Sequence, residues 1–355
     1  MLHHVAQQAG RFVAALVPPS IAALVSLPYV PLAQQAKLYY LYRMKRKTSR
    51  RPLAGITLKQ LRALTAVVEE GSNVAAAQRL NVTPPAIALQ LKIIEEEAGL
   101  PVVDRTPEGL KPTAAGLEIL ATTARIESAL EECSQALSLL NQGEGGRVSV
   151  GVISTAKYFA PRAFAAFARA HPDIELDLFV GNRADIVSEL ERFHRDIVIM
   201  GRPPEHLDLV TATIGAHPHV IIAAPDHKFV GKSGIKLSTL ADEKWLVREQ
   251  GSGTRLLMER LFDEAKVEPR ITMEIGSNET IKQAVMAGLG IAFLSAHTVG
   301  LEMAARQLTV LDVRGLPAMR SWFAVRRADK RLLPATEMLW NYLTTRGKDF
   351  LPRIS

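Results

Sequence analysis

The chain has 355 residues, of which 48% are hydrophobic and 22% charged, and a net charge of +7. That composition excludes a disordered or fibrous chain, and the length allows two or three domains with substantial cores. The single cysteine, Cys133, excludes a disulfide framework within the chain and suits a reducing cytoplasm. Charge is unevenly placed: residues 44–112 carry eleven Lys/Arg against seven Asp/Glu, whereas residues 113–355 carry 29 of each sign. A basic N-terminal part points to phosphate binding. A solvated basic surface without a partner is the plainer alternative.

Residues 12–36, from Phe12 to Ala36, hold no charge over a length that could cross a bilayer. Pro18, Pro19, Pro28 and Pro31 interrupt the run, and each breaks a regular helix. MLHHVAQQAGR makes a poor signal-peptide start, and no small-residue cleavage site follows. Residues 1–55 are therefore read as a disordered extension rather than a membrane anchor, with Met44 offering an alternative start. The basic group Lys45, Arg46, Lys47, Arg50 and Arg51 follows it.

Thr57-Leu58-Lys59-Gln60 fits a capping box that opens a helix buried through Leu61, Leu64 and Val68. Ser72 caps a second short helix whose Ala75, Ala76 and Ala77 permit close approach. Asn81-Val82 turns the chain, and Thr83 caps a third helix with Pro84 and Pro85 in its first turn. On this helix Ile87, Leu91 and Ile94 form one apolar stripe. The opposite face presents Pro85, Ala88, Leu89 and Lys92, small and basic enough for a DNA major groove. Thr83, Pro84, Pro85, Ala88, Leu89, Gln90 and Lys92 are the candidate DNA-facing residues. Val102 to Arg105 and Thr106 to Lys111 read as an extended piece and a turn, the wing of a winged helix, with Arg105 and Lys111 beside the DNA backbone. An ordinary helical hairpin is the competing reading.

From Thr113 a long helix runs to about Asn141. Ile119, Ile126, Cys133 and Leu140 lie seven apart, and Leu130 and Leu137 interleave with them, with Thr123 as the polar member. This heptad seam predicts a dimerisation helix in which Cys133 is a buried seam residue rather than a redox sensor. Gln142 to Gly146 is a flexible linker.

Beyond it, Val148, Val150 and Val152 alternate in a strand, a helix covers Pro161–Ala170, and Ile174 to Val180 alternate again. A helix over Ala184–Phe193 and an apolar strand at Ile197–Met200 complete a βαβ pattern. Ligands of such sheets bind at the carboxyl ends of the strands, here Ser154-Thr155, Asn182-Arg183 and Gly201-Arg202. A second α/β unit spans about Thr211–Gly315, with candidate strands at Val220–Ala224, Trp245–Val247, Ile271–Ile275 and Ile291–Leu294. In it Gly253-Thr254-Arg255 and Ser277-Asn278 open two helices whose free N–H groups can hold a phosphate or carboxylate. A strand at Trp322–Arg326 returns to the first unit. Two crossings predict a hinged, two-lobed binder with an anionic ligand in the cleft. Turn chemistry without a ligand explains Gly, Ser and Asn equally well at each loop taken singly.

No catalytic set assembles, so the chain is read as not an enzyme. The histidines lack metal-ligand spacing, and the metal-site expectation is none. His217-Pro218-His219 is read as a surface loop rather than a chelate.

QLRALTAVVEEGS, TPPAIALQLKIIEEEAGLPVVDR and PTAAG, in this order, resemble the LysR-type transcriptional regulators from Leu58 to Ser355. The sequence departs from the family at Asn73 (usually aromatic), Pro84 (usually Gln), Ala88 (usually Ser) and Val102-Val103 (usually Leu-Phe). VGNRADIVSEL, DIVIMGRPPE and REQGSGTR are similar to the regulators of Calvin-cycle (RuBisCO) operons. The resemblance implies a winged helix-turn-helix at 56–112, a linker helix and hinge at 113–146, and a periplasmic-binding-protein-like α/β effector domain at 147–355. Its lobe I would comprise 147–210 and 316–355, and lobe II 211–315. It further implies a cytoplasmic, nucleoid-associated homodimer or homotetramer that binds promoter DNA and contacts RNA polymerase. No cofactor is implied. The effector would be a phosphorylated sugar, a phosphoglycolate-like acid or a nicotinamide nucleotide. A regulator of another operon, or an anchored solute-binding protein, are the alternatives.

Overall fold

The computed structural model describes residues 53–142 and 145–352, so the uncharged run, the basic group after Met44 and the tip of the linker lie outside the described residues. The chain divides into two units, residues 1–120 and 121–355.

The first unit is three helices and a two-stranded wing. Helix α1 (Leu58–Glu70) opens on the capping box: Thr57 N donates to Gln60 Oε1 at 2.7 Å, and Gln60 N to Thr57 Oγ1 at 3.4 Å. Helix α2 (Asn73–Arg79) is capped by Ser72 Oγ, which accepts from Ala75 N at 3.2 Å. Helix α3 (Pro84–Ala98) begins after Thr83 and stops at Gly99, φ +71°. Thr83 holds the N-cap position, but its side chain makes no capping bond. The expected cap is thus backbone geometry alone, which the two following prolines impose through their fixed φ. The core joins Leu61, Leu64 and Val67 of α1 to Ala76 and Ala77 of α2 and to Ile87, Leu91 and Ile94 of α3. Val68, expected in the buried stripe, is only partly buried; Val67 takes its place.

Strands β1 (Val103–Thr106) and β2 (Gly109–Pro112) pair antiparallel as the wing. Its tip rests on the end of α1, where Leu110 N donates to Gly71 O at 2.8 Å. A Cβ at Gly109 would meet that carbonyl at 2.7 Å, so the tip needs glycine there. Helix α4 (Ala114–Gln142) follows.

The second unit is one nine-stranded sheet flanked by helices. The elements are β3 (Gly146–Ile153), α5 (Ala160–Ala170), β4 (Ile174–Gly181), α6 (Arg183–Glu191), β5 (Ile197–Met200), β6 (Leu209–Ala223) and β7 (Trp245–Arg248). Then come α7 (Gly253–Ala265), β8 (Ile271–Ile275), α8 (Asn278–Met286), β9 (Ile291–Ser295), α9 (Gly300–Ala304), β10 (Thr309–Val310), β11 (Ala318–Arg327) and α10 (Pro334–Arg346). The strand order is β4-β3-β5-β11-β6-β9-β7-β8, with β10 on β6. β3 runs parallel to β4 and β5, and β7 parallel to β8 and β9, as βαβ crossovers require.

Two long antiparallel strands, β6 and β11, join the halves, each half keeping its own core. Val148, Val150, Val152, Phe167 and Ile197 to Met200 lie in the first; Trp245, Phe262, Ile291 and Phe293 lie in the second. β6 begins at Leu209 rather than near Val220, and runs through Pro218. Proline is tolerated because β9 joins the strand only from His219, so at Pro218 the strand has β11 alone as neighbour. The His217-Pro218-His219 segment is therefore a buried strand and not a surface loop, with both imidazoles 3% exposed.

Candidate functional site

In the first unit, α3 divides into two faces as its sequence requires. Ile87, Leu91 and Ile94 are at most 6% exposed, whereas Thr83, Pro84, Pro85, Ala88, Leu89 and Lys92 are exposed and Gln90 is half-buried. Leu89, 55% exposed on a helix that buries Ile87, Leu91 and Ile94, is an apolar group offered outward. Lys92 Nζ lies 3.9 Å from Glu96 in a solvated pair that does not fix it. Arg79 pairs with Glu69 and Glu70, which fastens α2 to α1.

Arg105 and Lys111 are both exposed on the wing. The register pairs Arg105 with Leu110 and Lys111 with Asp104, so the two cations stand on opposite faces of the ribbon. Within residues 53–112 there are six basic and seven acidic side chains. The positive excess of residues 44–112 therefore belongs to Lys45–Arg51, outside the described residues, and not to the helix that faces outward.

In the second unit a cleft of about 820 Å³ lies where the two halves meet on β6 and β11. From lobe I come Ser154 and Thr155 after β3, Asn182 and Arg183 at the start of α6, and Gly201 and Arg202 after β5. From lobe II come Arg248 at the end of β7, Ser252, Gly253 and Thr254 at the start of α7, and Arg260 further along it. His217 and His219 of β6 and Arg320 and Ser321 of β11 line the part where the lobes join. Both lobes thus contribute the carboxyl ends of their strands, as this topology dictates.

Five arginines line the cleft and no Asp or Glu does, among the described residues. Arg248, 2% exposed, is the most constrained of them. Its guanidinium bonds Glu249 through Nε at 2.7 Å and Nη2 at 2.9 Å, Asn278 Oδ1 through Nη1, and Ser154 Oγ through Nη2 at 3.2 Å. Arg183 makes one hydrogen bond, Nε to the Arg202 carbonyl at 3.3 Å. Burial, followed by the charge of Arg202, lowers its pKa, as expected of a cation without a counter-charge. Ser252 caps α7 by position only; its hydroxyl makes no capping bond, and it and Thr254 are buried beside the free N–H groups of the first turn. Such a helix start with hydroxyls and guanidinium groups has the chemistry to hold a phosphate or carboxylate.

Eight of the eleven sequence-predicted ligand residues line this cleft. Arg255, Ser277 and Asn278 do not. Arg255 turns the other way, to Glu259 and to the Arg248 carbonyl at 3.2 Å. Ser277 spends its oxygen capping α8. Asn278 is buried behind Arg248 and orients it. The reading missed Arg248, although it directly precedes EQGSGTR and ends a strand. It also missed His217, His219, Arg260 and Arg320. Among the described residues no group of three or more His, Cys, Asp or Glu is placed to hold a metal, and no helix is long and apolar enough to cross a membrane.

Residues 58–117 match the bacterial regulatory helix-turn-helix model of the lysR family, and residues 141–348 match the LysR substrate binding domain. The chain belongs to the LysR family of transcriptional regulators. It is 51% identical over 300 residues to the HTH-type transcriptional regulator CbbR of Xanthobacter flavus, covering 84% of this chain and 90% of that one. It is 39% identical over 293 residues to the RuBisCO operon transcriptional regulator of Acidithiobacillus ferrooxidans, covering 82% and 95%. Among solved structures, the Synechocystis PCC6803 CcmR regulatory domain in complex with 2-PG is 40% identical. It aligns with a TM-score of 0.56 over 58% of this chain and 99% of that domain. The two-part architecture of this LysR-type regulator is thus a DNA-binding helix-turn-helix followed by an effector domain.

Proposed function

We propose that this LysR-type regulator controls carbon-fixation genes and that its effector is a small phosphorylated acid of the 2-phosphoglycolate kind. The observation that carries the ligand class is the cleft itself: five arginines, an uncapped helix start and no lining carboxylate. Arg248 and Arg202 already pair with Glu249 and Glu205, but a neutral or cationic ligand would leave the Arg183 guanidinium, half-buried beside Arg202, without a counter-charge. The relatives' names supply the target genes, and the CcmR domain supplies the ligand class by analogy.

In this reading the outward face of α3, from Thr83 to Lys92, enters a major groove, while Arg105 and Lys111 touch the flanking backbone. The effector domain binds and does not catalyse. Two or four copies assemble through α4, in the cytoplasm, on promoter DNA beside RNA polymerase. The effector acts by preferring one arrangement of the lobes over another, since a ligand shifts only states that it binds unequally. A gel-shift and footprinting series on DNA upstream of carboxylase genes tests this. Site-selective, salt-sensitive binding whose footprint changes with 2-phosphoglycolate is expected. Equal affinity for scrambled DNA, or a footprint indifferent to phosphorylated acids, overturns it.

A further inference from the structure

Three histidines from two elements meet beside the cleft. His217 and His219 stand on β6, with ring centroids 4.2 Å apart. His297, in the short turn Ala296–Thr298 after β9, stacks at 6.1 Å from His217. His297 is occupied: its Nδ1 accepts from Trp322 Nε1 at 3.0 Å. His219 Nδ1 lies 3.2 Å from the His217 carbonyl. His217 differs from both. It lines the cavity, is 3% exposed, and neither ring nitrogen has a hydrogen-bond partner. Its ring lies flat on the Trp322 indole, centroids 3.7 Å apart and planes 15° from parallel, a packing that holds the ring in this orientation. On its other side stands Gly201, where a Cβ would come within 3.1 Å of Nδ1; the glycine keeps the ring's place open.

A buried imidazole with two unmet nitrogens is costly, because each has given up its hydrogen bonds to water without gaining another. Its position on a cavity wall means that a cavity occupant can meet them. Resting on the reading of the cleft as an anion site, we propose that His217 contacts the effector directly and takes up a proton when a phosphorylated dianion binds. The dianion then enters together with one proton from solvent, carried on a ring nitrogen that donates to a ligand oxygen.

The surroundings explain why the proton waits for the ligand. The titratable and charged groups facing His217 are His219 on its own strand, His297 after β9, Arg320 across the β6–β11 pairing, Arg202 after β5 and Arg248 after β7. None is a carboxylate, so an empty cleft opposes a further positive charge. Burial, with the two neighbouring imidazoles, holds the His217 pKa well below its usual value, and burial holds His219 and His297 near 4. A dianion within hydrogen-bond reach reverses that balance. Mutual repulsion among the three rings limits the uptake to one. The sign follows by linkage: affinity tightens as pH falls through the pKa of the bound state, by up to about tenfold per pH unit.

Isothermal titration of the full chain with 2-phosphoglycolate at pH 7.5, in buffers of unequal ionisation heat, counts the protons taken up. The wild type is expected to absorb a fraction of a proton approaching one, beyond the ligand's own. His217→Gln should bind several-fold more weakly and absorb none. Imidazole NMR of the wild type gives a second readout: the ring stacked flat on the Trp322 indole, distinct from His297, which accepts the indole N–H, should move to its protonated position when ligand is added. Equal proton uptake in both proteins, or a wild-type ring that stays neutral with ligand bound, overturns the proposal while leaving the anion site intact. Absence of any binding by wild type removes the effector class itself, and the coupled proton with it.

Discussion

The Tyr158 hydroxyl donates to the Glu279 carboxylate at 2.5 Å, joining the turn after β3 in one lobe to α8 in the other. Lys282 reinforces the junction, with Nζ 5.0 Å over the Tyr158 ring, 2.9 Å from Glu279 and 2.7 Å from Glu302. Burial opposes the charge on Glu279, but the bonds from Tyr158 and Lys282 outweigh it and lower its pKa. Ser154 to Arg248, and Ala184 N to the Gly251 carbonyl at 3.2 Å, are further ties between the lobes. These contacts cross from one lobe to the other, so they stabilise the arrangement that holds them.

Tyr158→Phe removes the bond and keeps the ring. Because the pair is part-exposed, its net worth is about 1 kcal/mol, a factor of roughly five in an equilibrium. Effector affinity by calorimetry is expected to fall by that factor, with the thermal midpoint nearly unchanged. An affinity equal to wild type would show that the contact does not bias the cleft.

Arg248 is a stricter test of the anion site. Its fork geometry serves Glu249, Asn278 and Ser154 at once, which a lysine cannot do. Arg248→Lys retains the charge but leaves the Asn278 oxygen or the carboxylate short of a donor. We expect a loss of effector affinity of about 10–100-fold, the worth of one or two charge-assisted bonds. DNA binding without effector should persist in gel shifts. Full affinity in the lysine variant would mean that charge alone, not placement, holds the ligand.

How far the sequence carried these assignments depended on what each residue needed from afar. Strand ends such as Ser154-Thr155 and Asn182-Arg183 were legible because βαβ order alone sends them to one edge of the sheet. The split of α3 between Ile87, Leu91 and Ile94 and the face bearing Leu89 and Lys92 was legible from helical periodicity. Arg255 was misplaced because its position in the first turn of α7 permits either direction; Glu259, one turn on, and the Arg248 carbonyl decide it. His217 and His219 were misread because proline between them argues for a loop. Only the pairing of β6 with β11, on residues a hundred positions later, makes a strand there. Asn278 stands behind the cleft lining because its partner is Arg248, thirty residues earlier, a pairing that no local pattern announces.

For the outward face of α3, Lys92→Ala offers a readout that distinguishes phosphate from base contact. Lys92 is exposed, and its pairing with Glu96 is loose. If it meets a phosphate, the variant binds all DNA sequences more weakly to a similar degree. The slope of log affinity against log salt then flattens by about one. If it meets a base edge, the loss concentrates at one operator position, with a discrimination of about 1–3 kcal/mol there. Identical curves for variant and wild type would take α3 out of the groove.

Ile126, Leu130 and Leu137 of α4 are 38%, 47% and 55% exposed, and Cys133 is exposed with them. Within one chain an apolar stripe at heptad spacing therefore faces outward, as a seam expected to close between two chains does before they meet. Thr123 and Ile119, at the start of the series, are buried. A stripe of this kind is stable in water only when a second helix covers it, each leucine contributing about 1.5–3 kcal/mol on full burial. Leu130→Glu places a carboxylate in the middle of the stripe and, in a symmetric pair, sets two of them face to face. Sedimentation of wild type should give a dimer or larger assembly, and the variant should dissociate at micromolar concentration. Circular dichroism should change little, because the substituted position is exposed in the single chain. DNA affinity should fall with dissociation, since two linked reading helices bind far more tightly than one. An undissociated variant with unchanged DNA affinity would move the dimer contact off α4.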